Sequence, residues 1–201
     1  MAINLQKGQR INLTKGGQTL SKLTVGLGWD PISKSRKSGF LSSIFGVKQS
    51  EIDCDASVLM LNEDYKLENN NVVYFGNLRS RCESVIHTGD NLTGEGNGDD
   101  EVIYVTLDKV PSNIHKLVFA VNIYDCINRR QDFGMIKNAY IRVVNSSNNE
   151  ELVRYNLTDD YSGKTTVIVG EIYRNGSEWK FAAIGEGTND TNLNLISRRY
   201  R

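Results

Sequence analysis

Thr165-Thr166-Val167-Ile168-Val169-Gly170-Glu171-Ile172-Tyr173-Arg174-Asn175-Gly176-Ser177-Glu178-Trp179-Lys180-Phe181-Ala182-Ala183-Ile184 decides the fold class. Two runs rich in β-branched and aromatic residues, 165–174 and 178–184, flank Asn175-Gly176, the strongest two-residue hairpin signal in the chain. The same grammar recurs upstream. Ala139–Asn145 and Glu151–Leu157 flank Ser146-Ser147-Asn148-Asn149, a second hairpin. Lys116–Tyr124 is the most apolar run and reads as a central strand. Lys22–Trp29 is a strand ending at Asp30-Pro31, and Arg10–Thr14 is a short edge strand. Glu51–Asn62, Val72–Phe75, Ser84–His87 and Glu101–Leu107 add further strands. About ten short strands without a long amphipathic helix predict an all-β chain, an antiparallel β-sandwich of two sheets with a few short helices.

Composition agrees: two prolines, 18 glycines and many Asn and Thr favour strands joined by turns. The 201 residues form one domain, 1–201, with no repeat or linker to divide it. Lys plus Arg and Asp plus Glu are equal at 24 each, so no global field recruits nucleic acid or anionic membrane. Cys54, Cys82 and Cys126 make neither an even framework nor a C-x-x-C, which points to reduced thiols in a cytoplasm. The first ten residues contain no apolar core of a secretory signal, and no apolar run reaches the ~20 residues of a membrane span. Asp125–Phe133 reads as a loop or short helix. Residues 31–50 carry Lys34, Arg36, Lys37 and Lys48 around Phe40-Leu41 and Ile44-Phe45. That basic insertion loop is read as a long surface loop or as a peripheral membrane or partner contact. The polar tail, 187–201, is expected to be a short helix or a frayed end.

The chemistry gathers in Gly89-Asp90-Asn91-Leu92-Thr93-Gly94-Glu95-Gly96-Asn97-Gly98-Asp99-Asp100-Glu101, which holds five carboxylates and no Lys or Arg. Two like charges ~4 Å apart repel by ~4 kcal/mol at an effective dielectric of ~20, so such a loop calls for a counter-charge or for solvent. Its donors are all oxygens, which select calcium or magnesium over zinc or copper, and a flexible glycine-rich loop suits calcium's six to eight ligands. An EF-hand is excluded, because Leu92 and Gly94 stand at ligand positions and Glu95 replaces the required glycine. Phosphate-cradling glycine motifs are missing too. The alternative is a solvated acidic turn. On the preceding strand Asp53, Asp55 and Ser57 share one face, opposite Cys54, Ala56, Val58 and Met60, which places the two aspartates about 7 Å apart.

The order of motifs resembles the bacterial TerD family of tellurium-resistance and general stress proteins. The matching pieces are Val25-Gly26-Leu27-Gly28-Trp29-Asp30, Asp53-Cys54-Asp55-Ala56-Ser57 and the run from His87 to Glu101. Ile123-Tyr124-Asp125, Arg129-Arg130-Gln131-Asp132-Phe133-Gly134, Gly170–Arg174 and Trp179-Lys180-Phe181 complete the set. The resemblance implies a cytoplasmic bacterial stress-response protein with a two-sheet sandwich that binds calcium, with two ions expected. It carries over Asp30, Asp53, Asp55, Asp90, Asn91, Thr93, Glu95, Asn97, Asp99, Asp100 and Glu101 as metal-ligand candidates, and other stress-operon proteins as partners. Three features depart from the family pattern: Asn97 in place of an Asp, the longer 31–50 insertion, and a tail without a glycine-rich ending.

No catalytic motif is present: neither H-E-x-x-H nor G-x-S-x-G occurs. His87, beside the acidic loop, is read as a structural hydrogen-bonding residue, and Cys54, between two aspartates, as a blunted, buried thiol. Arg129-Arg130 is either a solvated turn or an anion grip. The expectation is a non-enzymatic calcium-binding protein. The competing readings are a metal-dependent phosphoester hydrolase and a membrane-associated scaffold acting through 31–50.

Overall fold

The computed structural model describes residues 2–14, 20–32, 52–89 and 98–201, with the backbone alone at 69 and 70. Twelve strands run in the order β1 (Ile3–Leu5), β2 (Arg10–Asn12), β3 (Lys22–Pro31), β4 (Cys54–Leu61), β5 (Leu67–Val73), β6 (Val85–His87), β7 (Glu101–Thr106), β8 (Lys116–Ile123), β9 (Ile136–Asn145), β10 (Glu150–Asn156), β11 (Thr166–Asn175) and β12 (Glu178–Thr188). One sheet is ordered β1-β10-β9-β3-β7-β6 and the other β2-β12-β11-β8-β4-β5. Two short α-helices, α1 (Cys126–Arg129) and α2 (Leu193–Arg198), and two 3-10 helices, Leu107–Lys109 and Phe133–Met135, complete the described elements.

Alternation along the strands builds the core. Leu23, Val25 and Leu27 of β3, Ile103 and Val105 of β7, and Cys54, Ala56, Val58 and Met60 of β4 all turn between the sheets, as a period of two requires. Phe119 and Phe181 are fully buried there; burial of one such side chain stabilises by about 1.5–3 kcal/mol. β8 sits inside its sheet, between β11 and β4, as its apolar run predicts. A second, smaller cluster lies outside that sheet, where α2 lays Ile196 over Leu59, Leu61, Val118 and Ala120. The tail is therefore a docked helix.

Several details differ from the sequence reading. β1 is an additional strand, and it pairs parallel to β10, the one non-antiparallel pairing among the described strands. Three residues carry too little periodicity to announce a strand. β5 starts at Leu67 and ends at Val73, earlier than expected at both ends. In the β11–β12 hairpin Asn175 pairs with Glu178, so the two loop residues are Gly176 and Ser177. Only Gly176 has positive φ, at 63°, which suits a turn with glycine in its first central position rather than one centred on Asn175-Gly176. The β9–β10 hairpin closes Asn145 on Glu150 around the four expected loop residues. Of the 31–50 insertion, Pro31 ends β3 and the Ile32 N–H donates to the Met135 carbonyl; residues 33–50 lie outside the described residues.

Candidate functional site

One end of the sandwich collects the acidic residues from three segments: the end of β3, the start of β4 and the start of β7. Asp90, Asn91, Thr93, Glu95 and Asn97 fall outside the described residues. The other six ligand candidates are placed as follows.

Asp99 is seated on the outer face of the first sheet. Its two oxygens receive the Arg142 guanidinium, Nε to Oδ1 at 2.7 Å and Nη2 to Oδ2 at 2.8 Å, and the Tyr140 hydroxyl donates to Oδ1 at 2.9 Å. The same hydroxyl also lies 2.7 Å from the Gly98 carbonyl. Arg142 stands opposite Gly26, and Tyr140 opposite Gly28. A Cβ on Gly26 would lie 2.1 Å from Asp99 Oδ2, and one on Gly28 would lie 2.5 Å from the Tyr140 ring. The two glycines of Val-Gly-Leu-Gly-Trp thus leave open the floor on which the end of the acidic loop rests. Bidentate charge-assisted pairs are the strong class of hydrogen bond, and this one holds the Arg142 guanidinium above its ordinary range. Burial, then Asp99, pushes the Tyr140 phenol up to about 12.

Asp100 and Glu101 hold the neighbouring backbone. Asp100 Oδ2 accepts from the Trp29 N–H at 2.7 Å, and the Asp100 N–H donates to the Leu27 carbonyl. Glu101 points between the sheets. Its Oε2 accepts from the Ala56 N–H at 2.6 Å, just beyond the last β4–β5 pairing at Val58, and so joins β7 of one sheet to β4 of the other. His87 is buried beside it: Nδ1 accepts from the Gly89 N–H at 3.1 Å, which leaves the ring proton on Nε2, 3.3 Å from Glu101 Oε2 and poorly aligned for a hydrogen bond. His87 is thus a buried acceptor for the N–H of the residue that opens the acidic run.

Asp30 accepts from Asn138 at 2.7 Å. Asp53 lies 3.6 Å from Arg129, which is stacked over Tyr124 and reaches Asp125 at 4.0 Å. The Arg129-Arg130 pair is therefore no anion grip on its first member, whose charge faces carboxylates. Asp55 is buried on the outer face of the second sheet, paired in register with Asn122.

Burial pushes the Cys54 thiol well above its ordinary value, and Asp55, Asp53, Glu101 and Asp100 all add to the shift. Burial likewise raises the Asp100 carboxyl against the Trp29 hydrogen bond, with help from Asp30 and Asp99. Among the described residues no three His, Cys, Asp or Glu side chains come together closely enough to hold an ion by themselves. The donors are hard oxygens throughout, the set that fits calcium or magnesium. Sequence reasoning missed Tyr140, Arg142 and Asn138, which hold Asp99 and Asp30 from β9 and its start. The available signal was the paired glycines of β3, which mark close approach by some other group.

The chain matches the TerD domain over residues 1–200. It is 64% identical to stress response protein SCP2 of Bacillus subtilis (strain 168), with all of both chains covered. It is 41% identical to tellurium resistance protein TerD of Serratia marcescens over 93% of this chain and 91% of that one. In three dimensions it resembles a homologue of telluride resistance protein (TerD) from Streptomyces coelicolor A3(2), with a TM-score of 0.67, 21% identity, and coverage of 90% and 98% of the two chains, which supports the fold. The chain belongs to the TerD family, whose members include stress response and tellurium resistance proteins.

Proposed function

We propose that this TerD-family chain is a non-enzymatic calcium-binding protein of the bacterial stress response. In this reading Asp53, Asp55 and Asp100, with Asp30 nearby, supply part of the ligand set, and residues 90–97 supply the rest. Asp99 and Glu101 fix the end of the loop to the two sheets. The observation that carries the proposal is the placement of Asp30, Asp53, Asp55, Asp100 and Glu101 at one end of the sandwich, at the end of β3 and around the starts of β4 and β7, with the acidic run 89–101 leading into β7. Such a concentration of like charge repels itself in a partly desolvated site, and a divalent cation reverses the sign of that interaction. When bound, calcium supplies charge neutralisation and loop order, and the ordered pole is the surface offered to partner stress proteins. Two ions are expected. No catalytic constellation is needed for this role.

A cytoplasmic location is part of the proposal. Cys54, Cys82 and Cys126 are free thiols, which suits a reducing compartment. Among the described residues no helix is long and apolar enough to cross a membrane.

Metal that binds only the folded state stabilises it by about 2.7 kcal/mol at a hundredfold excess over the dissociation constant. A calcium chelator is therefore expected to lower the melting temperature and added calcium to restore it. An identical melting curve in chelator and in calcium would contradict the proposal.

A further inference from the structure

Two arginines approach the acidic pole, and they do so differently. Arg142 grips Asp99 with two hydrogen bonds, at 2.7 and 2.8 Å. Arg129 faces Asp53 at 3.6 Å, Nη1 to Oδ2, beyond hydrogen-bond reach. The second contact is a charge pairing without the directional bonds that make a guanidinium–carboxylate pair hard to separate. Asp53 sits just ahead of β4, its side chain only 10% exposed, and belongs to the proposed ligand set. Arg129, 27% exposed, therefore holds a positive charge beside a carboxylate that the bound cation would use.

The local backbone is bent to achieve this. β8 ends at Ile123, and α1 follows as one short turn between Asp125, at φ 49°, and Arg130, at φ 52°. Left-handed backbone at residues other than glycine is unfavourable and persists where the surroundings enforce it. Buried Cys126 fixes the turn to the core, and the Tyr124 N–H donates to the Asp53 carbonyl at 2.8 Å. Arg129 comes back over the Tyr124 ring at 5.2 Å. A second carboxylate stands on the solvent side: Asp125 Oδ2 is 4.0 Å from Arg129 Nε, and its side chain is 40% exposed. One guanidinium thus lies between an inner carboxylate, Asp53, and an outer one, Asp125.

We infer that Arg129 is a tethered counter-cation of the calcium site, which calcium displaces from Asp53 toward Asp125. The inference rests on the calcium reading of the pole. Without the ion, the guanidinium offsets part of the repulsion among the carboxylates. With the ion, two positive charges compete for one carboxylate, and like charges a few ångströms apart repel. Arg129 therefore lowers calcium affinity while it stabilises the calcium-free protein. An arginine that only positioned Asp53 as a ligand would have the opposite sign, because its removal would weaken calcium binding.

The test is calorimetric calcium titration of the chelator-treated full chain, comparing the parent with Arg129→Gln and Arg129→Met. Arg130→Gln is the control: Arg130 carries the same charge one residue on, is exposed, and makes no ion pair among the described residues. Both Arg129 variants should bind calcium about three- to tenfold more tightly than the parent, the scale set by one partly exposed ion pair. Arg130→Gln should stay within about twofold of the parent. Melting curves supply a second readout. The Arg129 variants should melt below the parent in chelator, and the gap should close in saturating calcium. Unchanged or weaker calcium binding in the Arg129 variants, or an equal gain in Arg130→Gln, would overturn the inference and leave the calcium reading standing. A parent that binds no calcium would overturn that reading, and the inference with it.

Discussion

Replacing Gly26 by alanine probes how the acidic loop is held. The new Cβ would lie 2.1 Å from Asp99 Oδ2, 2.2 Å from Cγ and 2.5 Å from Oδ1, so the carboxylate must leave its seat. Displacement breaks the two-pronged contact with Arg142 and the Tyr140 hydrogen bond together. The Asp99 side chain is only 7% exposed and that of Arg142 30%, so solvent replaces these contacts incompletely. Hydrogen bonds to charged groups contribute about 1.5–3 kcal/mol each, and they are not additive when one carboxylate carries all of them. A loss of about 2–5 kcal/mol is expected, or roughly 5–15 °C in melting temperature for a chain of this size. Thermal unfolding monitored by circular dichroism reads it directly. Arg142→Met supplies the control, since it removes the same pair from the other side. Once the pair is gone, the alanine has less to displace, so the double variant should lose clearly less than the sum of the two single changes. A Gly26→Ala protein that melts within a degree of the parent, or strict additivity with Arg142→Met, would refute the anchoring role of Asp99.

Two other perturbations reach the supports around that anchor. Glu151 accepts from Arg154 at 2.7 Å and from Arg142 at 3.1 Å, and these bonds, Arg154 first, hold its carboxyl below the ordinary carboxylate value. A depressed folded value contributes stability that is present above the unfolded pKa, about 4.3, and is lost as pH falls through the lower folded value. The stability gap between the parent and Glu151→Gln should therefore be largest at neutral pH and shrink on acidification; a gap that is constant with pH would disprove the linkage. Glu101→Ala removes the acceptor for the buried Ala56 N–H and the tie between the sheets. The expected cost is about 1–3 kcal/mol, accompanied by faster hydrogen exchange at the Ala56 amide, and an unchanged exchange rate there would count against the tie.

How far the sequence reaches can be judged at particular residues. The alternation Cys54, Ala56, Val58, Met60 against Asp53, Asp55, Ser57 predicted the two faces of β4, and the structure buries the first set between the sheets. A period of two is a local signal and survives folding intact. The Asn175-Gly176 pair located its hairpin but misplaced the turn by one residue, because a positive φ is adopted by Gly176 alone. β1 was invisible: three residues take their strand character from β10, which is distant in sequence. The same limit governs the site. The acidic run and Asp-Cys-Asp were plain in the sequence, whereas the Arg142, Tyr140 and Asn138 contacts arise from register between β3 and β9. No local pattern encodes that register. Gly26 and Gly28 were its only trace, and their meaning required knowing which side chains lay opposite.

The most direct test of calcium binding is calorimetric titration of chelator-treated protein with calcium and then with magnesium. The expected result is saturable calcium binding, at about two ions per chain, with magnesium unable to match it. Absence of any saturable calcium heat, while the protein remains folded, would contradict a divalent-ion role for the acidic pole.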